Sequence, residues 1–312
     1  MKAVQIKEYG GIDVLELSSD IQKPVSAKGY VLVEVYAASI NPVDWKIRAG
    51  FFKEMAPIQF PATMGGDFAG VVAEVGGEVT EFKTDDEVYG SALVLNGGSG
   101  SFAELLSARV ENTAFKPKSV HFIEAAALPL VGSSAIQALE EHITLQSRQK
   151  ILIHGGAGGI GHVAIQLAKI LGAYVTTTVS TNDMDFVKQL GADEVIDYKN
   201  QQFETVLKDF DAVFDTVGGE ITNKSLDVLK RGGILVSMAG EPDKDEAEKR
   251  GITAISQFTQ TNTNHLNRLT KLVDSGKVNV SVDKVFPLEE AKQAFSYQEE
   301  IHPKGKVVFK II

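Results

Sequence analysis

Residues 150–161 read KILIHGGAGGIG and lead directly into HVAIQLAKILGA. An apolar run of strand length, a glycine cluster and an apolar-periodic stretch predict a strand, a turn and a helix. The start of such a helix offers unpaired N–H groups and the positive end of its dipole, which suits a phosphate. Glycines let the backbone approach that phosphate with no side chain in the way. Gly156, Gly158 and Gly161 fit G-x-G-x-x-G, with Ala157, Gly159 and Ile160 between them. Alone this pattern is weak; inside a series of strand–helix units it points to the pyrophosphate of a dinucleotide. A Walker loop is excluded, because His162 follows Gly161 where that loop needs lysine.

Outward from this turn, strand and helix patterns alternate: strands at 174–180, 194–197, 211–215 and 233–238, helices at 160–171, 183–190, 201–208 and 221–230. That alternation predicts right-handed crossovers and a doubly wound parallel sheet, an α/β Rossmann fold. Upstream, residues 123–142 read as helices around Pro129 and Gly132. Before them the chain is β-rich, with VLVEVYAASI (31–40), GVVAEVG (70–76) and DEVYG (86–90) broken by turn residues. NGGSGSF (96–102) reads as a loop over a site or a hairpin end. The segment 241–251 is highly charged and reads as a solvated helix or loop, followed by a helix at 264–276. The tail returns to β character and is expected to fold back onto the first domain. The expected division is 1–122 for a β-rich substrate domain, 123–274 for the dinucleotide-binding domain and 275–312 for the return. The active site is expected in the cleft between the two domains, at the C-terminal ends of the parallel strands.

Composition removes several functions. With 31 Lys and Arg against 41 Asp and Glu, the formal net charge is −10. No basic stripe for nucleic acid is evident, so no nucleic-acid partner is expected. No apolar run approaches the roughly 20 residues of a membrane span, and MKAVQIKEYGG lacks a signal-peptide core. The expectation is a cytoplasmic protein without a membrane partner. Cysteine is absent, which removes disulfides, thiolate nucleophiles and cysteine-based zinc sites. The six histidines, His121, His142, His154, His162, His265 and His302, show no metal-ligand spacing. They read as ordinary surface or core residues, and no metal is expected.

The strand AYVTTTVS (173–180) ends where NAD sites place an acidic residue, about 20 residues after the glycines. Ser180, Thr181 and Asn182 stand there instead, leaving room for a 2′-phosphate and hydroxyls to donate to it. This favours NADPH over NADH, although Asp183 is one residue on and Lys199, beside Tyr198, is the nearest basic help. The same residues also read as a plain loop and helix cap. None of the seven tyrosines has Lys four residues later, so the short-chain dehydrogenase pattern is excluded.

Four further stretches carry a resemblance: Asn41-Pro-Val-Asp44-Trp-Lys46-Ile-Arg48-Ala-Gly50, Met64-Gly-Gly-Asp67-Phe-Ala-Gly70-Val-Val-Ala-Glu-Val-Gly76, Pro129-Leu-Val-Gly-Ser-Ser134-Ala and Gly305-Lys306-Val-Val. With the glycine cluster, they occur in the order in which the chain resembles the medium-chain dehydrogenase/reductase superfamily, in its zinc-free quinone oxidoreductase and enone (alkenal) reductase branch. The resemblance covers nearly the whole chain and implies a GroES-like first domain beside the Rossmann domain. It implies an NADPH-dependent enzyme that delivers hydride to a quinone or an α,β-unsaturated carbonyl, and a homodimer joined through a sheet edge. Where zinc-dependent relatives have His-Glu, this chain has Gly66-Asp67.

The resemblance also implies roles. Asn41 and Lys46 are catalytic candidates that also meet the cofactor, Lys46 steadying a developing enolate. Ser134 lies by the nicotinamide, Gly156, Ala157, Gly158, Gly159, Ile160 and Gly161 line the pyrophosphate, and Ser180, Thr181 and Tyr198 take the 2′-phosphate. Val217 and Met238 lie at strand ends under the cofactor, and Lys306 joins the cofactor set. Each has a plainer reading beside it. Asn41 before Pro42 suits a turn, Asp44 a helix cap, Lys46 a solvated helix face, Asp67 a structural acceptor and Tyr198 a cover for the sheet edge. Two other functions remain open: a non-enzymatic, NADPH-binding structural or RNA-binding relative, and a reductase of enoyl thioesters.

Overall fold

Ile151, Leu152 and Ile153 are wholly buried in the strand Lys150–His154, as a continuous apolar run must be when a sheet is covered on both faces. This strand is interior to a six-stranded parallel sheet in a computed structural model that describes residues 1–312. The sheet order is Glu194–Asp197, Tyr174–Val179, Lys150–His154, Phe210–Asp215, Leu229–Ser237 and Thr253–Ser256. The chain runs outward from Lys150–His154 to one side and then crosses to the other. The glycine turn therefore lies at the topological switch point of a doubly wound sheet, where ligands bind in open α/β folds.

The β-rich part holds a seven-stranded sheet. Val282–Pro287, Lys306–Lys310, Tyr30–Ile40, Asp67–Val75, Glu87–Ser91 and Thr113–Phe115 follow in that order, and Leu105–Arg109 also pairs with Tyr30–Ile40. A small sheet orders Glu16–Ser18, Ala3–Ile6 and Ala62–Thr63. Val31, Val33, Val35, Phe68, Phe102 and Phe309 form the core, each fully buried. Burial of each such side chain contributes about 1.5–3 kcal/mol. The last strand, Lys306–Lys310, runs antiparallel to Tyr30–Ile40, with Val307 opposite Ile40.

The chain divides into two units that differ from the expected boundaries. Unit 1 is 1–130, 261–276 and 280–312; unit 2 is 131–260 with 277–279. The helix Thr263–Asp274, expected with the Rossmann domain, belongs to unit 1. Tyr89 donates its hydroxyl to the Leu266 carbonyl at 2.7 Å, and Asp274 accepts from the Ser119 amide at 2.9 Å. The helix Phe122–Ala126 is likewise in unit 1, with Phe122 stacked on Tyr36 at 4.4 Å. Residues 277–279 join unit 2, where Asn279 exchanges two backbone hydrogen bonds with the Gln166 amide.

Some elements are shorter than periodicity predicts. The helix expected at 201–208 spans Phe203–Val206, and that at 221–230 is Glu220–Lys224 followed by a 3₁₀ turn, because the next strand already starts at Leu229. The charged stretch carries the helix Lys244–Arg250, started by Asp243 accepting from the Glu246 amide. Thr253–Ser256 is an edge strand that the sequence reading lacked. No helix is long and apolar enough to cross a membrane.

Candidate active site

The glycine turn is built by close approach. A Cβ on Gly156 would lie 2.1 Å from the Thr177 hydroxyl, and one on Gly161 would lie 2.2 Å from the Gly155 carbonyl. Gly155 has φ +73, the left-handed region that favours glycine. Gly158 is different: a Cβ there would meet just the Gly155 carbonyl, at 3.4 Å. The helix Gly161–Ile170 starts with no side-chain cap, and the N–H groups of Gly159 and Ile160 have no acceptor in the protein. Gly158, Gly159 and Ile160 are themselves half-buried. Open donors at a helix start, with a glycine beside them, fit a pyrophosphate.

His154, at the end of the central strand, has a structural role. It bonds the Thr178 and Ser225 hydroxyls, each at 3.0 Å, and burial pulls its pKa down to about 4, so it is a neutral core residue.

Ser180 and Thr181 are placed at the end of the second strand but do not offer free donors. Ser180 donates its hydroxyl to Asp183 at 2.6 Å, and Thr181 donates to Asp197 at 2.6 Å. Asp197 accepts also from the Lys199 amide at 3.0 Å and the Asn200 side chain at 2.8 Å. The expectation that both hydroxyls are available to a phosphate is corrected by this: each has one proton, and a carboxylate already holds it. Tyr198 is 56% exposed, directly after the strand that pairs Asp197 with Val179. Asp197 escaped the sequence reading because its partner, Thr181, is sixteen residues away and joins it through strand register.

Ser134, Met238 and Thr259 meet in unit 2. The hydroxyls of Ser134 and Thr259 are 2.6 Å apart, and Thr259 lies 4.0 Å from the Met238 sulfur. Val217 follows the strand-terminal Asp215, which accepts from the Val217 and Gly218 amides and the Thr222 hydroxyl and so fixes that turn. Val217 is 49% exposed. Gln257 donates to the Ser134 carbonyl at 3.1 Å, while its buried Oε1 has no partner. Thr259, Asp215 and Gln257 carry no local motif, and sequence reasoning missed them.

In unit 1, three neighbouring strands bring Asn41, Asp67 and Lys306 together. The Asn41 amide donates to Asp67 at 2.9 Å, and Asp67 also accepts from the Leu130 amide at 3.1 Å and the Ser39 hydroxyl at 3.4 Å. Lys306 donates to the Ile40 carbonyl at 2.6 Å and to the Asn41 side-chain carbonyl. Asp44, at the start of the helix Pro42–Arg48, accepts from the Asn41 backbone amide at 2.7 Å, and its other oxygen has no partner. All four side chains are buried. Burial pushes Asp44 up to about 7 and Asp67 up to about 6, and draws Lys306 down to about 8, against the attraction of the two carboxyls. Lys306 is thus placed on Asn41, with two of its three donors held inside the fold.

Lys46 is on the same short helix but outside this cluster. It is half-buried, lies 5.7 Å over the Trp45 ring and makes no ion pair. Trp45 meets the exposed Phe51 edge-on at 5.5 Å, so the cation borders apolar surface.

The sequence matches two family models, described as alcohol dehydrogenase GroES-like domain over residues 27–118 and zinc-binding dehydrogenase over 190–309. It is 40% identical over 318 residues to a 2-methylene-furan-3-one reductase of Solanum lycopersicum, covering 99% of this chain and 78% of that protein. An NADPH-dependent alkenal/one oxidoreductase of Arabidopsis thaliana, chloroplastic, is 39% identical, with 99% and 79% covered. Among solved structures, a quinone oxidoreductase from Coxiella burnetii superposes with a TM-score of 0.92 at 35% identity, covering 100% of this chain and 99% of that one. The chain belongs to the medium-chain dehydrogenase/reductase superfamily, in its quinone and enone reductase branch. It is an oxidoreductase with a Rossmann unit and a GroES-like unit.

The second family description raises zinc, and the residues do not fit it. No group of three His, Cys, Asp or Glu side chains could hold a metal ion. Asp67 already accepts three hydrogen bonds beside a buried ammonium, a poor setting for a second cation.

Proposed function

We propose that this protein reduces small quinones or α,β-unsaturated carbonyls, with NADPH as hydride donor and without zinc. The observation that carries this reading is the uncapped helix start at Gly161 with open donors on Gly159 and Ile160. The names of the reductases to which the chain is similar support the acceptor class and the cofactor. Gly156, Ala157, Gly158, Gly159, Ile160 and Gly161 hold the pyrophosphate, Tyr198 borders the adenosine end, and Ser134, Val217 and Met238 border the nicotinamide.

Held at the glycine turn, NADPH would supply a hydride for the β-carbon of an enone, which would leave negative charge on the acceptor oxygen as an enolate. Lys46 is the group suited to stabilise it, since its ammonium has no counter-ion and borders the apolar surface of Trp45 and Phe51. Asn41 has one amide proton left after its bond to Asp67, and the cluster beneath fixes the direction of that proton. Lys306 acts as a positioning residue for Asn41, and solvent protonates the enolate.

We further propose a cytoplasmic homodimer joined through an edge strand of the parallel sheet, which sedimentation of the purified protein tests. The functional test is consumption of NADPH with a panel of quinones, 2-alkenals and enones. Turnover with at least one class is expected. Cofactor binding without turnover of any of them would overturn the reading in favour of a non-enzymatic role.

A further inference from the structure

Four consecutive residues, Gln257 to Gln260, are tied to two residues one helical turn apart, Ser134 and Gln137. We infer that Gln137 is a positioning residue for hydride transfer, because its amide holds the segment that carries Thr259 against Ser134. This rests on the reductase reading above, in which Ser134 and Met238 border the nicotinamide. It adds two residues that the reading does not use.

The helix Pro129–Ile136 passes into one wide turn of π type, Gln137–His142. There the Ile143 amide reaches the Ala138 carbonyl, five residues back, at 2.9 Å. Such turns are rare and frequently stand at functional sites. Gln137 opens this turn and is buried. Both ends of its side-chain amide are used: Nε2 donates to the Phe258 carbonyl at 3.1 Å, and Oε1 accepts from the Gln260 amide at 2.9 Å. In a parallel ladder one residue likewise meets a carbonyl and an amide two residues apart. The Gln137 amide thus stands in for a neighbouring strand, beyond the point where Thr253–Ser256 stops.

Thr259 lies between these two bonds. Its hydroxyl is 2.6 Å from that of Ser134 and 4.0 Å from the Met238 sulfur. Gln257 closes the set by donating to the Ser134 carbonyl at 3.1 Å. Phe258 and Gln260 are exposed, so side-chain burial does little to hold this irregular segment, and the polar ties do it instead. Ordering a surface segment costs conformational entropy, which those ties offset. The placement of the Thr259 and Ser134 hydroxyls is therefore what depends on Gln137. A displacement of about 1 Å beside reacting atoms can lower a rate by about a hundredfold.

The test pairs Gln137→Met, which keeps the length of the side chain and removes both bonds, with Thr259→Val and the double variant. Each is followed by circular dichroism, NADPH titration and steady-state rates with one accepted substrate. The rates are taken with NADPH and with its form dideuterated at nicotinamide C4. Gln137→Met is expected to bind NADPH within about threefold of the unmodified protein and to lower kcat by about tenfold or more. The deuterium isotope effect on kcat is expected to be at least as large as in the unmodified protein, because the hydride step is the one that slows. The double variant is expected to lose little beyond Gln137→Met alone, since both changes act on one contact. If Gln137→Met does not fold, Gln137→Glu, which keeps the acceptor for the Gln260 amide, is judged by the same readouts. Unchanged kcat, a loss of NADPH affinity in place of kcat, or a loss accounted for by unfolded protein overturns the inference. So does a shrinking isotope effect, or independent losses in the double variant. No turnover by the unmodified protein with any acceptor overturns the reductase reading, and the inference with it.

Discussion

Asn41 and Lys306 are hydrogen-bond partners 265 residues apart in sequence, and both are buried. Their strands are neighbours, so the pair is a product of register between the segment that ends at Ile40 and the one that begins at Lys306. Removal of either member leaves the other, and Asp67 beside them, without compensation in the interior. Lys306→Met is expected to destabilise unit 1 by about 3–5 kcal/mol, the scale of leaving buried carboxyls without the cation that balances them. Urea unfolding checks this. A loss below about 1 kcal/mol would show that the ammonium is not needed to balance the carboxyls.

The same cluster sets a pH dependence. Asp44 and Asp67 bind protons more tightly in the folded chain than at the ordinary carboxyl value of 3.8. Their contribution is full below that value and is lost as pH rises through about 6 for Asp67 and about 7 for Asp44. Lys306 has the opposite sign: its contribution is full above 10.5 and is lost as pH falls through about 8. Unfolding free energy from this cluster should thus fall between pH 4 and 7, at up to about 1.4 kcal/mol per pH unit for each proton released. Asp44→Asn should flatten that slope. An identical slope in the variant would assign it to other groups.

Lys46→Met should leave the melting temperature within a degree or two, since the ammonium has no ion-pair partner to lose. It should lower kcat with an enone by about a hundredfold, the scale expected when a charge-stabilising group is removed. Unchanged kcat with raised KM would make Lys46 a binding residue instead.

Gly158→Val separates folding from phosphate approach. A Cβ there meets no atom closer than 3.4 Å, so the variant should fold, whereas Gly156→Val forces a contact near 2.1 Å with Thr177 and should be unstable. Gly158→Val should weaken cofactor binding at least about tenfold by fluorescence titration. Native affinity in that variant would place the pyrophosphate elsewhere.

Prolonged treatment with a chelator should leave turnover unchanged, and added zinc should not raise it. Loss of activity that zinc restores would contradict the poor fit of Asn41, Asp67 and Lys306 to a metal.

Much of this was legible from local pattern. The continuous apolar run at Ile151–Ile153 and the glycines after it announced the parallel sheet and its switch point, because both signals are short-range. The N-terminal strands showed themselves through β-branched runs. What was hidden depends on register and tertiary packing. Asp197 beside Thr181, and Thr259 between Ser134 and Met238, are pairs that no spacing rule connects. The helix Thr263–Asp274 went to the other unit because Tyr89 and Thr113 hold it there, which periodicity cannot encode. Asn41 was read as a catalytic candidate or a turn residue, and its bond from Lys306 was out of reach of that reading because the two are 265 residues apart.

The pairing of the final strand with Tyr30–Ile40 closes unit 1 from both sides of a long interruption. Asn41 and Asp67 come from residues 1–130 and Lys306 from residues 280–312, with residues 131–260 forming a unit of their own in between along the sequence. The parallel-sheet unit is thus an insertion in the β-rich one, and the buried ammonium beside Asp67 is a bracket that the chain supplies only from the far side of that insertion.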